Sequence, residues 1–174
     1  MKQKEKRMED VLNNIGRLLM EEKETIAVAE SVTSGTIQTM LSSAMNATFF
    51  YQGGITAYNL DRKANLLNVD EDHAAGCNCV SEKVAAQMAY GVCRLFESGY
   101  GIGITGYASP IPEKDLYDLF AFYAIAHHGK VIGQGKLSTD KDDPKKAQQD
   151  YAEQVLQIFE KQLATKIEAN DLQF

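Results

Sequence analysis

The chain has 174 residues, of which 44% are hydrophobic and 24% charged, and this composition is typical of one globular domain rather than of a disordered or fibrous protein. Its 18 Lys and Arg residues and 24 Asp and Glu residues give a formal net charge of −6. An acidic chain lacks the basic face that sequence-independent binding to nucleic acid requires, so we expect no nucleic-acid partner.

The first predicted elements are a helix, a strand and a second helix. Apolar residues recur every three or four positions over residues 8–20, which indicates an amphipathic helix. Residues 25–29 form a short, β-branched apolar run that is typical of a buried strand. A hydroxyl-rich turn over residues 30–35 leads into a helix over residues 36–44. A strand, a polar turn and a helix in this order present a helix N-terminus to an anion.

The middle of the chain continues this alternation. Residues 49–58 predict a second strand and residues 59–67 a short helix. Residues 70–80 are predicted to form a loop. A long helix is predicted over residues 81–96, and residues 100–105 have the apolar composition of a third buried strand.

The last part of the chain predicts a hairpin and a closing helix. Strands over residues 116–127 and 131–138 flank His128-Gly129-Lys130, which fits a hairpin turn. A helix follows over residues 143–168. Helices that alternate with strands before a hairpin favour the α/β class, so we predict one domain over residues 1–174, a three-layer α/β/α architecture with a mixed central sheet.

Targeting signals and the number of cysteines indicate which cellular compartment to expect for the protein. The longest apolar stretch, residues 119–126, is eight residues, whereas a membrane span needs about 20, so no membrane segment is expected. The charged N-terminus does not resemble a secretory signal. Three cysteines argue for reduced thiols rather than a disulfide framework. We therefore expect a cytoplasmic protein.

Reactive side chains cluster at the ends of the predicted strands, where α/β domains place their sites. If a helix begins at Asn59, Lys63 lies about one turn on and can return toward Tyr58. Such a site would hold Ser or Thr as nucleophile, Lys or Tyr as base and backbone N–H groups as oxyanion donors. The four clusters are residues 30–35, Asn46-Ala47-Thr48, Tyr58 with Lys63, and Thr105-Gly106.

Each cluster also has a purely structural interpretation. Ser31, Thr33 and Ser34 suit a helix N-cap, and Lys63 suits a solvated surface position. Metal binding is not expected, because Cys77-Asn78-Cys79 lacks the zinc-site spacing and a turn is the better interpretation of His127-His128.

Taken together, the clusters resemble the C-terminal domain family of the competence-damage-inducible protein CinA. The resemblance runs from about residue 8 to about residue 163. Its pieces are A-E-S-x-T-x-G at residues 29–35, the segment 50–54 followed by Tyr58 and Lys63, V-S-E at residues 80–82, and I-T-G at residues 104–106.

The resemblance implies an activity and a set of site residues. Active members of this family are nicotinamide-nucleotide amidases, which hydrolyse nicotinamide mononucleotide to nicotinic acid mononucleotide and ammonia. No metal or organic cofactor is implied, and the expected partner is a small nucleotide substrate. The implied catalytic residues are Thr48 or Ser31 as nucleophile, with Tyr58 and Lys63. The implied substrate-binding residues are Thr33, Ser34, Gly35, Thr105, Gly106, Lys141 and Lys145.

Departures from the family pattern fall on the expected phosphate and ribose side. Val32 and Ser34 replace a cysteine and a glycine, and a glycine-rich loop is replaced over residues 106–112. Lys141 and Lys145 stand where the family has two arginines. Lysine offers phosphate a point charge, whereas arginine offers a bidentate fork.

Three hypotheses therefore stand. The first is an amidohydrolase that acts on nicotinamide mononucleotide or a related amide. The second is a catalytically impaired paralogue that binds a nucleotide or a protein partner, and the third is a scaffold without a ligand. We also expect a homodimer, because the family tends to associate and the helix over residues 81–97 has spare apolar residues such as Met88 and Tyr90.

Overall fold

The computed structural model describes residues 2–171, which form a five-stranded mixed sheet in the order β2-β1-β3-β4-β5. Strand β1 pairs in parallel with both β2 and β3. Strand β4 pairs in antiparallel with both β3 and β5. The strands are β1 Ile26–Glu30, β2 Tyr51–Thr56, β3 Tyr100–Gly106, β4 Phe120–His127 and β5 Lys130–Ser138.

Helices cover both faces of the sheet. They are α1 Lys2–Glu21, α2 Thr36–Ser42, α3 Leu60–Leu67, α4 Glu71–Gly76, α5 Glu82–Phe96 and α6 Pro144–Asp171. Helices α1, α2 and α6 pack on one face, and α3, α4 and α5 pack on the other. The predicted three-layer α/β/α fold with a mixed sheet is confirmed. None of the helices described is long and apolar enough to cross a membrane.

The two faces of the sheet differ in side-chain size. On β1, Ile26 and Val28 join the core beneath α1 and α6, whereas Ala27 and Ala29 face α5. This alternation is the two-residue period of a strand buried on both faces. On β3, a Cβ added to Gly103 would lie 2.3 Å from the carbonyl oxygen of Ala85. The small residues on this face of β1 and β3 therefore let the backbone of α5 pack directly against the backbone of the sheet.

Several predicted elements differ from the observed ones. The predicted loop over residues 70–80 contains helix α4, which begins because the Asp70 side chain accepts the backbone N–H of His73 at 3.1 Å. Strand β4 begins at Phe120 rather than at residue 116, because Leu116 pairs with Ile111 in an isolated bridge that encloses a short 3-10 helix over Pro112–Lys114. Six-residue and three-residue helices are too short to show a periodic pattern.

Met88 and Tyr90 on α5 both have contacts within the chain. Met88 is wholly buried in the core, and the Tyr90 hydroxyl accepts the backbone N–H of Val131 at 2.9 Å. Met88 therefore cannot contribute to a dimer surface, whereas Tyr90 is only half-buried and the expected homodimer stays a prediction.

Candidate active site

A cavity of about 710 Å³ opens where β1 and β3 end, beside the start of α3. The carboxyl ends of parallel strands share one edge of a sheet, which is where α/β proteins bind ligands. The polar side chains that line the cavity belong to Ser31, Tyr58, Asn59, Lys63, Asn78, Thr105, Tyr107, Ser109 and Gln148.

Lys63 is the central residue of this cavity. Asn59 caps α3 by accepting the backbone N–H of Arg62 at 3.0 Å, so the helix begins directly after β2 and turns Lys63 back toward the sheet. The side chain is 1% exposed, and the interpretation of Lys63 as a solvated surface lysine is therefore wrong. Its Nζ donates to Ser31 Oγ at 2.9 Å and to the carbonyl oxygens of Ala57 at 2.8 Å and Tyr58 at 2.9 Å.

Burial lowers the pKa of Lys63, because removing an ammonium from water disfavours its charged form, and nearby Cys79 opposes this shift only in part. The three groups that accept its protons are a hydroxyl and two carbonyls, so none of them is an anion that would restore the charge. A lysine held in this way has the lowered pKa and the position that a base for the contacted hydroxyl would need.

Ser31 is the hydroxyl that faces this base. It follows β1, and its backbone N–H donates to the carbonyl oxygen of Ile104 at 3.0 Å, which continues the β1–β3 ladder by one bond. The residue is 7% exposed and lines the cavity. Ser31 and Lys63 together form a serine–lysine pair of the kind that catalyses acyl transfer.

The turn after Ser31 does not offer a free anion site. The carboxylate of Glu30 accepts the backbone N–H groups of Gly35 at 3.1 Å, Ile37 at 3.0 Å and Gln38 at 2.9 Å. Glu30 is wholly buried, so the N-terminus of α2 already holds a negative charge from its own chain. A substrate phosphate at this point would be repelled by that carboxylate.

The residues expected to bind phosphate in this turn therefore have another role. Thr33 is wholly buried, and Ser34 and Gly35 carry the positive φ angles of 50° and 95° that reverse the chain before α2. None of the three lines the cavity. The helix cap is the Glu30 carboxylate rather than a hydroxyl of Ser31, Thr33 or Ser34, which corrects both sequence interpretations of the turn.

Tyr58 lies at the rim of the cavity, with 75% of the residue exposed. Lys63 contacts its backbone carbonyl rather than its phenol. The predicted proximity of the two residues is thus observed, but the contact leaves the phenol outside the Ser31–Lys63 pair.

Thr48 is not part of this cavity. It lies exposed in a 3-10 helix over Ala47–Phe49, immediately before β2. Because β2 runs parallel to β1, a residue before β2 lies at the opposite edge of the sheet from one after β1. Six residues of strand at about 3.3 Å each separate the two edges, so the expectation of Thr48 as nucleophile beside Lys63 is wrong.

Thr105 and Gly106 do reach the cavity, at the end of β3. The Thr105 hydroxyl donates to the carbonyl oxygen of Cys79 at 2.7 Å and holds the loop after α4 against the sheet. A Cβ on Gly106 would lie 2.4 Å from the carbonyl oxygen of Phe120, so glycine is required here by strand β4.

Lys141 and Lys145 lie outside the cavity. They line a separate depression of about 330 Å³ with Lys4 and Lys146, and Lys141 pairs with Asp140. On α6 the cavity instead contacts Pro144 and Gln148. These two residues are four apart and share one face of the helix, whereas Lys145 is rotated about 100° from Pro144. The structure therefore does not bring either lysine to the cavity that holds Ser31 and Lys63.

Asn78 and Tyr107 are two of the cavity residues that were not among the predicted site residues. The Asn78 amide donates to the Tyr107 hydroxyl at 3.2 Å, and the Tyr151 hydroxyl donates to the Tyr107 carbonyl oxygen at 3.1 Å. Asn78 and Cys79 have φ angles of 52° and 61°. Asparagine adopts this left-handed conformation more readily than most residues, so the Asn in Cys-Asn-Cys was the available signal.

Comparison with known proteins agrees with this architecture. The sequence model of the CinA C-terminal domain family matches residues 8–163 of this chain. A CinA-like protein of a Picosynechococcus species is 45% identical over 96 residues, covering 55% of this chain and 23% of that protein. One from Trichodesmium erythraeum is 39% identical over 125 residues, covering 71% and 29%. The chain thus spans less than a third of the length of these two relatives.

Solved structures show the same fold at lower identity. A competence-damaged protein (CinA) superfamily protein from Klebsiella pneumoniae superposes with a TM-score of 0.84 at 21% identity, covering 91% of this chain and 98% of that one. A superfamily member from Escherichia coli gives 0.81 at 24% identity, covering 88% and 89%. With the family model matched over residues 8–163, the chain belongs to the CinA C-terminal domain family.

Proposed function

We propose that this chain is an amidohydrolase that converts nicotinamide mononucleotide, or a related amide, to the corresponding acid and ammonia. The observation that carries the proposal is the 2.9 Å contact between the buried Lys63 Nζ and Ser31 Oγ at the wall of the cavity. The substrate class comes from membership of the CinA C-terminal domain family. Tyr107 and Tyr58 would contact the aromatic amide at the cavity wall and rim.

The proposed reaction uses the two residues in sequence. Ser31 Oγ attacks the amide carbonyl carbon while neutral Lys63 accepts the hydroxyl proton. The C–N bond then breaks, and Lys63 passes the proton to the nitrogen, which leaves as ammonia. Water next attacks the acyl ester on Ser31, with Lys63 again accepting a proton. This second step releases the acid and restores the serine hydroxyl.

The test is ammonia release from nicotinamide mononucleotide by the purified chain. Ser31→Ala and Lys63→Ala should each lower the rate by about a thousandfold or more, because both residues act in the same step. Matched controls are Ser42→Ala and Lys6→Ala, which alter exposed residues far from the cavity in the fold. Full activity in either cavity variant would refute the assignment of roles.

One observation favours a second candidate, hydrolysis of an amide without a phosphate. Among the cavity-lining residues that the structure describes, Lys63 is the one Lys, Arg, Asp or Glu, and its Nζ already contacts three groups of its own chain. A substrate phosphate would therefore lack a cationic partner. Comparing kcat/KM for nicotinamide mononucleotide and for its phosphate-free nucleoside distinguishes the two substrates.

A catalytically impaired member of the family predicts a different result. Calorimetry would then show binding of nicotinamide mononucleotide without ammonia release, and the Lys63→Ala variant would change affinity but no rate. If the chain neither binds nicotinamide mononucleotide nor releases ammonia from it, the result would support the scaffold hypothesis instead.

A further inference from the structure

A second group of reactive side chains meets at the other edge of the sheet. Glu24 lies between α1 and β1, His127 ends β4, and His128 forms the turn into β5. Glu24 Oε1 is 3.0 Å from His127 Nε2 and 2.7 Å from His128 Nε2, and the three potential ligand atoms all lie within 4.8 Å of one another. We propose that these three residues bind a divalent transition-metal ion such as Zn²⁺.

The position of this cluster separates it from the candidate active site. His127 is paired with Tyr100, the first residue of β3, and Glu24 precedes β1. Ser31 follows the carboxyl end of β1, and Thr105 lies near the carboxyl end of β3. The length of the parallel strands therefore lies between the cluster and the cavity, so the metal would not take part in the proposed hydrolysis.

Each of the three residues is anchored in the fold, Glu24 and His128 through the backbone and His127 through its ring. The backbone N–H of Glu24 donates to the carbonyl oxygen of Leu19 at 2.8 Å, at the end of α1. The ring of His127 stacks on Tyr100 with a centroid distance of 4.0 Å. The backbone N–H of His128 donates to the carbonyl oxygen of Gly99 at 3.1 Å. The ligands are thus positioned by the fold before an ion binds, which lowers the entropic cost of binding.

The donor set suits zinc and its neighbours in the first transition row. Imidazole nitrogen and carboxylate oxygen bind Zn²⁺ at about 2.0–2.2 Å, so in a tetrahedral site the ligand atoms lie about 3.3 Å apart. The two measured Glu24–histidine distances are within 1 Å of that value, so a small opening of the cluster admits the ion. His128 is 63% exposed, so water can complete the coordination.

One cation near the cluster is already paired. Lys166 acts electrostatically on His127, but its Nζ lies 3.2 Å from a carboxylate oxygen of Glu22 and 3.2 Å from the Tyr100 hydroxyl. This ion pair offsets part of the repulsion that a metal ion would meet.

The ion would join parts of the chain that are distant in sequence. Glu24 and His128 are 104 residues apart, so coordination would link the connection between α1 and β1 to the β4–β5 hairpin. Such a link closes a long loop, and binding to the folded state alone raises stability by mass action. His128 also begins the predicted hairpin turn, which is why the sequence favoured a turn over a metal site at His127-His128.

The test is titration of the metal-free full chain with zinc chloride against a chromophoric chelator. We expect one ion per chain and a melting temperature that rises with zinc. His128→Asn removes a ligand, and asparagine suits the left-handed conformation of this turn, where φ is 44°. This variant should fold as the wild type does without zinc but bind zinc at least about tenfold more weakly. Glu24→Gln should weaken binding in the same way.

Matched controls locate the ion. His73→Asn alters the third histidine, which contacts Ser81, and a Cys77→Ser/Cys79→Ser variant removes two free thiols, of which that of Cys79 lines the cavity. Both should bind zinc as the wild type does. Absence of one-to-one binding, unchanged affinity in His128→Asn and Glu24→Gln, or loss of binding in the cysteine variant would each overturn the proposal. Ammonia release is measured separately, so failure of the metal site leaves the proposed function untouched.

Discussion

Lys63 and Ser31 are 32 residues apart in sequence, yet the lysine Nζ lies 2.9 Å from the serine hydroxyl inside the protein. The contact depends on two neighbouring elements, the end of β1 and the first turn of α3. It also depends on two carbonyl groups that fill the remaining hydrogen-bonding capacity of the ammonium. This arrangement leads to the first prediction.

The pH dependence of activity should follow Lys63. The proposed step needs the neutral amine, so kcat/KM should rise with pH through an apparent pKa below the 10.5 of an ordinary lysine, because burial lowers the pKa of Lys63. A pH–rate profile for ammonia release measures this limb. A profile without it, in a chain that does release ammonia, would contradict the role of Lys63 as base.

The free energy of unfolding should also follow the titration of Lys63, and it should rise with pH as kcat/KM does. The folded state releases the Lys63 proton at lower pH than the unfolded chain, so the free energy of unfolding should rise as the pH increases from the lowered pKa toward 10.5. Urea unfolding across this range measures the rise, and Lys63→Met should flatten it. An equal rise in that variant would assign the titration to another group.

Glu30→Gln should destabilise the fold. The carboxylate accepts three backbone N–H groups at the start of α2, and replacing it with a neutral amide should cost about 2 kcal/mol of unfolding free energy. Urea unfolding measures the loss, with Ser42→Ala at the other end of α2 as control. Unchanged stability in Glu30→Gln would show that this charge does not cap the helix.

The lysines near α6 should be dispensable for substrate binding. Lys141→Ala/Lys145→Ala should leave KM within about twofold of the wild type, because neither side chain lines the cavity. Gln148→Ala, on the face of α6 that does line it, should raise KM more. A tenfold increase in the lysine variant alone would instead indicate that these residues contact the substrate.

Tyr107 should contribute to substrate binding through its ring. Tyr107→Ala removes part of the cavity wall and should raise KM by about tenfold, the effect expected for an aromatic contact. Tyr107→Phe removes only the hydroxyl that accepts from Asn78, so its KM should change less. Steady-state kinetics on both variants separates the ring from the hydroxyl, and equal effects would contradict the stacking role.

We propose that the chain forms a homodimer through the connection between α2 and β2. Met45 and Phe49 are 67% and 72% exposed there. Light scattering after size-exclusion chromatography should give twice the 19.3 kDa mass, and Phe49→Asp should give the monomer. Ile132→Asp, at another exposed apolar position, serves as control. A wild-type species of 19.3 kDa alone would contradict the dimer.

The order of helices and strands could be predicted because long elements carry a periodic pattern. The burial of Lys63 could not, since it depends on acceptors from separate segments that meet only in the fold. Thr48 was misplaced for a different reason. The spacing of a motif does not indicate which edge of the sheet a residue occupies, whereas the polarity of parallel strands does. Applied to β1 and β2, that rule alone separates Thr48 from Ser31.

The Glu30 carboxylate that caps α2 determines when the turn beside Ser31 takes its shape. In many anion-binding turns the ligand supplies the charge that completes the structure, so order and affinity are coupled. Here Glu30 supplies that charge from within the chain, and it does so as the protein folds. Ser31 is therefore already oriented in the absence of substrate, and none of the free energy of substrate binding is needed to order this turn.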